Sequence, residues 1–252
     1  MSEPGAQDVF PPGFFAREDE RTDATFYGPP RLVTHIDDGA VAAVSDLYAE
    51  LAVDGSPGEP RRVLDLMSSW ISHLRVAPSE LVVLGMNAAE LEANPQATER
   101  VVADLNADPR LTFPDASFDA VLCCVSVDYL VRPVEVLREA ARVLRPGAPL
   151  VLTFSNRCFP TKVVAGWLYA DEDGRCAIAA TYVRLAGGFG EPEISLRTPA
   201  HRYRGDPPVR SRRAPPLNEC GRSCADLGAQ PPALVALDSL LNVLRAGRVR
   251  AP

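Results

Sequence analysis

The 252-residue chain is predicted to be an α/β protein, a doubly wound, mostly parallel sheet with helices on both faces and an N-terminal cover helix. Apolar runs recur at 62–66, 81–85, 118–125 and 150–154, and runs without polar alternation belong to strands buried on both faces. Between them the chain carries helical spacing or turn residues. The clearest helix is "RPVEVLREAARVLRPG": Pro133 suits a first turn, Val134, Leu137, Ala141 and Leu144 share a face, and Pro146-Gly147 ends it.

Taken in order, residues 1–34 are rich in Pro, Gly and charge and read as an extension that wraps the domain. "HIDDGAVAAVSDLYAEL" places Ile36, Ala40, Val44, Leu47, Tyr48 and Leu51 at helical spacing, with Asp37 or Asp38 as cap, and "DGSPGEP" closes it. The first strand, 62–66, sits in "RRVLDLMSSWISHL", where a strand-to-helix turn without glycine is expected after Leu66. Strands follow at 81–85, 100–103 (the least apolar), 118–125 and 150–154, then helices at 161–169 and 175–186 and a sixth strand at 193–197. Past Pro199 the periodicity is lost. "PPALVALDSLLNVLRAG" reads as an isolated helix with Leu234, Leu237, Leu241 and Leu244 on one stripe.

Composition bounds the function. With 46% apolar and 23% charged residues the chain is an ordinary globular one. It has no apolar run near the ~18 residues of a membrane span and no signal-type N-terminus, so a cytoplasmic protein without a membrane partner is expected. The six cysteines show no CxxC spacing and read as buried thiols in a reducing compartment, with no metal site. Net charge is −7, but ten arginines face four acids from Arg197 onward, leaving −13 for residues 1–196. That acidic body argues against nucleic acid as a partner, and the Arg202–Arg213 cluster reads as an exposed tail. Lys162 is the sole lysine among 26 basic residues.

In a doubly wound sheet, ligands collect at the carboxyl ends of the strands. Here those ends carry Asp65, Met67, Ser68 and Ser69; Met86 and Asn87; Asp104, Leu105 and Asn106; Ser126, Asp128 and Tyr129; and Ser155, Asn156 and Arg157. The ordered stretches "VLDLMSS", "VVLGMNAAELEANP", "VVADLN", "LTFPDASFDAVLCCVSVDYL" and "EVLREAARVLRPGAPLVLTF" resemble a class I S-adenosylmethionine-dependent methyltransferase of the type 11 kind, from about residue 60 to 198. The resemblance implies a Rossmann-like, methyltransferase-like domain at 35–198, flanked by the 1–34 extension and an Arg/Pro-rich appendage at 199–252. It implies S-adenosylmethionine as cofactor. Asp65, Met67 and the Ser68-Ser69 backbone would hold the methionine end, Asn87 the ribose, Asp104-Leu105 the adenine, and Ser126 the sulfonium side. "TFYGPPRLVTHID" would cover the site, and Tyr129, Asn156 and His35 would face an acceptor, small or macromolecular, that the sequence does not name.

No residue stands out as the catalytic base. Two departures from the family pattern are expected to matter: the first loop lacks glycine, and Asn87 stands where a carboxylate is usual. Strain of about 1–3 kcal/mol at a positive-φ residue and a neutral acceptor would together weaken cofactor binding by ~10–100-fold. They also support an alternative reading, a non-catalytic binding or regulatory protein of the same fold. Bland roles stand beside the sharp ones: Ser68-Ser69 as a helix cap, Asp65 satisfying loop amides, Asn87 or Asp104 in a turn, Tyr129 packed, His35 a cap, Lys162 solvated, Trp70 a pocket wall. The class usually ends in an antiparallel strand, which is not evident after "GDPP"; either the tail derives from a shifted reading frame or something else fills that place.

Overall fold

A computed structural model describes residues 9–55, 60–197, 212–213 and 241–249. In chain order the elements are α1 (Asp23–Tyr27), α2 (Asp38–Glu50), β1 (Arg62–Leu66), β2 (Glu80–Gly85), α3 (Ala88–Glu92), β3 (Glu99–Val102), β4 (Ala120–Cys124) and a 3-10 turn (Val127–Tyr129). Then come α4 (Pro133–Val143), β5 (Pro149–Ser155), α5 (Ala165–Leu168), α6 (Glu172–Ala186), β6 (Glu193–Arg197), β7 (Arg212–Arg213) and β8 (Leu241–Gly247).

The strands form one sheet in the order β3-β2-β1-β4-β5-β8-β6-β7. β1 lies parallel to both β2 (Leu66 opposite Leu84) and β4 (Leu66 opposite Cys123), so the order reverses between β1 and β4. That reversal opens the crevice in which such sheets take ligands. Successive side chains point to opposite faces. Leu64, Leu66, Val82, Leu84, Val121 and Leu152 pack under α4 and α6, while Val63, Leu81, Val83, Leu122 and Val151 pack under Val44, Leu47 and Tyr48 of α2. Each such Leu or Val, fully buried, contributes about 1.5–3 kcal/mol. Asp37 caps α2 by accepting the Ala40 amide at 2.9 Å. Pro133 begins α4, and Gly147, at φ +85°, turns the chain into β5.

Three expectations need correction. No helix follows β1: residues 67–79 run as an irregular loop directly into β2. The helix expected at 161–169 shrinks to Ala165–Leu168, because the turn before it is spent burying Lys162. Finally, Leu241–Gly247, read as the end of an isolated helix, is a strand inserted antiparallel between β5 and β6, with Thr153 opposite Val243 and Ser195 opposite the same residue on the other side. Leu241 and Val243 join one core and Leu244 and Ala246 the other. A segment buried on both faces shows no two-residue alternation, so a leucine stripe can be read into it. The missing antiparallel strand is therefore present; the rest of 199–240 lies outside the described residues, except β7.

Candidate functional site

A cavity of about 550 Å³ opens at the carboxyl ends of β1, β2 and β4 and is roofed by residues from 27 to 36. Small-ligand sites span roughly 300–1,000 Å³. Every residue assigned above to cofactor or acceptor lines it: Asp65, Met67, Ser68, Ser69, Asn87, Asp104, Leu105, Ser126, Tyr129, Asn156 and His35. Asp128, on the same rim in the sequence, turns away from it and is buried.

The loop after β1 replaces glycine by other means. The Ser68 amide donates to the Leu84 carbonyl at 2.8 Å, carrying the β1–β2 hydrogen bonding two residues past Leu66. This brings the Ser68 carbonyl so near β2 that a Cβ at Gly85 would lie 2.2 Å from it. The close-approach glycine therefore sits on β2 rather than in the loop. Positive φ falls at Met67 (+53°) and His73 (+56°), not at Ser68, Ser69 or Trp70, so the strain expected at the serines is carried elsewhere. Val125, at +44°, also lines the cavity, and such outliers gather at binding sites.

Side chains fasten this loop at each turn. Ser68 Oγ donates to Asp65 Oδ2 at 2.7 Å, and Ser69 Oγ to Glu90 Oε2 at 2.5 Å. Asn94, fully buried, donates to the Ser69 carbonyl at 3.1 Å and to Ser72 Oγ at 2.9 Å. With no helix following, Ser68 and Ser69 are not N-caps. Trp70 does not plug the cavity; its indole N–H reaches the Val33 carbonyl at 3.1 Å and ties the loop to the roof. Asp65 lies buried with serine hydroxyls around it, and burial pushes its carboxyl up to about 6 against those hydrogen bonds.

Asn87 has a different role from the one the resemblance implies. Its Oδ1 accepts the Ala89 and Glu90 amides at 3.0 and 3.1 Å and caps α3, while Nδ2 donates to the Tyr27 and Gly28 carbonyls at 2.9 and 2.8 Å. An amide makes at most two bonds of each kind, so Asn87 is saturated and has none left for a ribose. It pins the roof instead. Asp104 Oδ1 accepts the Asn106 and Ala107 amides, the turn considered above, yet Asp104 and Leu105 still line the cavity.

The roof is held by buried charge. Lys162 is fully buried rather than solvated: Nζ donates to the Asp19 and Arg21 carbonyls at 3.0 and 2.7 Å and lies 3.1 Å from Asp23 Oδ1. Arg17 clasps both Asp23 oxygens at 2.7 and 2.9 Å, and Asn106 Nδ2 adds a bond at 2.8 Å. Burial raises the Asp23 pKa, but bonds from Asn106, Arg17 and Lys162 outweigh it and hold the carboxyl below its ordinary value.

Around Tyr129 and His35, Phe159 is the hub. His35 and Phe26 meet its ring edge-on at 5.3 and 5.4 Å, and the Phe159 amide donates to Tyr129 Oη at 2.8 Å. Burial first, then Asp128, raises Tyr129 well above the usual phenol range. It is therefore a packed acid, not a base. Burial lowers His35, with Glu90 opposing and Arg31 assisting, which leaves its imidazole neutral near pH 7. Tyr27 Oη and Asn156 Oδ1 are buried without a hydrogen-bond partner among the described residues. Burial raises the Cys158 thiol to about 11, which keeps it protonated near pH 7. Glycine in "VVLGMN", the single lysine and the lone Asn-Pro at 94–95 were the available signals for Gly85, Lys162 and Asn94; nothing local announced Glu90, Asp23, Tyr27 or Arg31. No three His, Cys, Asp or Glu side chains among the described residues are grouped to hold a metal, and no described helix is long and apolar enough to cross a membrane.

Residues 66–152 match the family described as methyltransferase domain. A segment is 37% identical over 82 residues to 27-O-demethylrifamycin SV methyltransferase of Amycolatopsis mediterranei, covering 29% of this chain and 30% of that protein. The chain thus spans under a third of that relative's length. Among solved structures, the cyclase SpnF superposes with a TM-score of 0.53 at 18% identity over 90% of this chain and 92% of that one. A possible histamine N-methyltransferase from Thermotoga maritima gives 0.50 at 15%, over 83% and 91%. A S-adenosylmethionine-dependent methyltransferase from Archaeoglobus fulgidus gives 0.51 at 12%, over 82% and 94%. At such identities these structures speak to the fold. Residues 66–152 are thus similar to a methyltransferase domain, and the strand order agrees with the fold of these solved structures.

Proposed function

We propose that the protein binds S-adenosylmethionine in this cavity and transfers its methyl group to a small molecule held under the roof. The observation that carries the reading is the cavity at the β1/β4 reversal, of suitable size and lined by the strand-end residues of the family pattern. The residues fit the cofactor in outline. Asp65, buried and without a cationic neighbour in its hydrogen-bond set, suits an ammonium group. Asp104 and Leu105 flank the adenine position. The ribose role passes from saturated Asn87 to Glu90, one turn later on α3, whose carboxylate accepts the Arg31 amide at 2.7 Å and Ser69 Oγ and has lone pairs to spare.

The cofactor supplies a methyl already activated by positive sulfur, so the chain's share is positioning and exclusion of water. The roof, latched by Asn87, Lys162 and Trp70, does both. His35, neutral and set against Phe159, is the side chain able to take the acceptor's proton, while Tyr27 Oη and Asn156 Oδ1 offer unspent hydrogen bonds for orienting it. The relative named for O-methylation of a rifamycin supports a small acceptor with a hydroxyl group. The acidic body argues against nucleic acid. Cys123, Cys124 and Cys158 are free thiols, which agrees with a cytoplasmic setting.

Titration calorimetry with S-adenosylmethionine and S-adenosylhomocysteine tests the reading; binding at micromolar levels is expected, and none at millimolar ligand overturns it. The second reading, a non-methylating protein of this fold, is favoured by the helix-free loop at 67–79 and by a cyclase among the structural neighbours. It predicts cofactor binding, or none, with no S-adenosylhomocysteine released in the presence of any hydroxylated aromatic acceptor.

A further inference from the structure

His73 is a cavity-lining residue that none of these roles uses. It lies midway along the irregular loop, sits at φ +56° and is 9% exposed, and its Nδ1 is buried with no hydrogen-bond partner among the described residues. Its backbone carbonyl is occupied by Ser45 Oγ at 2.7 Å, which fixes the residue in place and leaves the imidazole for the cavity. Burial first, and then the charge of His35, lowers the His73 imidazole to about 4, and Arg31 stands in turn within electrostatic reach of His35. Arg31 donates to the Phe26 and Pro29 carbonyls and pairs with no carboxylate side chain at salt-bridge distance among the described residues. Arg31 and the neutral imidazoles of His35 and His73 thus line the cavity together with Asp65, which suits an ammonium group.

A helix start after the first strand would normally present free amides to an anion. This chain has no helix there. We infer that His73 takes the place of those amides and donates to the α-carboxylate of the cofactor's methionyl end, while Asp65 takes its ammonium group. The inference rests on the cofactor reading above, and two ligands separate them. S-adenosylhomocysteine has the amino-acid end; 5′-methylthioadenosine has the same adenosine thioether without it.

Dissociation constants for both are measured by calorimetry on the full chain, wild type and two variants. His73→Asn keeps a residue that tolerates positive φ but withdraws the long reach of the imidazole, and His73→Ala removes the donor. A hydrogen bond to a charged group corresponds to roughly 10- to 100-fold in affinity. The variants are expected to lose about that much for S-adenosylhomocysteine and to hold 5′-methylthioadenosine within about twofold, which also shows that they fold. An equal loss for both ligands, or none for S-adenosylhomocysteine, overturns the role of His73 and leaves the cofactor reading standing. Failure of the wild type to bind either ligand overturns both.

Discussion

Replacing Asn87 by Asp restores the carboxylate that the family pattern places there, and the structure predicts that this harms the protein. Asn87 Nδ2 faces two carbonyl oxygens, those of Tyr27 at 2.9 Å and Gly28 at 2.8 Å. An aspartate puts an anionic oxygen against both. Two hydrogen bonds of about 1 kcal/mol each are lost, and carboxylate–carbonyl repulsion adds to the loss. The other oxygen still caps α3, where negative charge returns about 0.3–1 kcal/mol, the low end being apt for a helix of five residues. The net cost to roof docking is about 2–3 kcal/mol, or roughly 30- to 150-fold in its opening equilibrium. Amide hydrogen exchange in peptides covering residues 17–36 is expected to quicken by that factor, with the sheet strands unchanged, and cofactor affinity is expected to fall. Exchange no faster than wild type, or tighter cofactor binding, would refute the account of Asn87 as a roof latch.

Three further outcomes follow from the geometry. Gly85→Ala places a methyl 2.2 Å from the Ser68 carbonyl, so the loop must move; a loss of about 1–3 kcal/mol in urea denaturation is expected together with weakened S-adenosylhomocysteine binding, and intact binding would show the loop free to yield. Lys162→Met strips a buried network of its cation while leaving Asp23 and the Asp19 and Arg21 carbonyls in place; about 3–5 kcal/mol of destabilisation is expected, and a change below about 1 kcal/mol would contradict its role. Because burial raises Asp65 to about 6, the folded state binds the extra proton: its contribution to stability is fully present below the unfolded pKa of ~3.9 and is lost as pH rises through about 6. Of the ~3 kcal/mol involved, about 1.4 falls between pH 5 and pH 8. The unliganded wild type, measured against Asp65→Asn in denaturant, should lose that much over this interval, and a pH-independent difference would sink the assignment.

The parallel half of the sheet was legible because burial on both faces writes itself into uninterrupted apolar runs such as 81–85 and 150–154. The exposed edge strand at 99–102 showed only weakly, for the same reason in reverse. β8 was illegible: its near-continuous burial erases the two-residue period, and its partners lie far away in sequence. Site positions were readable and site roles were not. That residue 87 would reach the cavity followed from its place at a strand end, but what its amide touches depends on a segment about sixty residues earlier. The glycine rule for the first loop misled because steric room is a property of two approaching backbones, and the chain made that room on the neighbouring strand. Lys162 drew attention only by being the single lysine; its burial came from a turn-and-carbonyl geometry that no spacing encodes.

The position of β8 has a bearing on synthesis. Until residues 241–247 emerge from the ribosome, β5 and β6 each keep an unsatisfied edge of amides and carbonyls, the kind of surface that recruits strands from other molecules. A nascent or shortened product ending between Arg197 and Leu241 holds the whole cavity lining in its primary structure and still lacks the wedge that joins its two flanks. Such products are expected to be insoluble rather than partly active, so the tolerance of this protein to premature termination is set by a strand that touches no ligand.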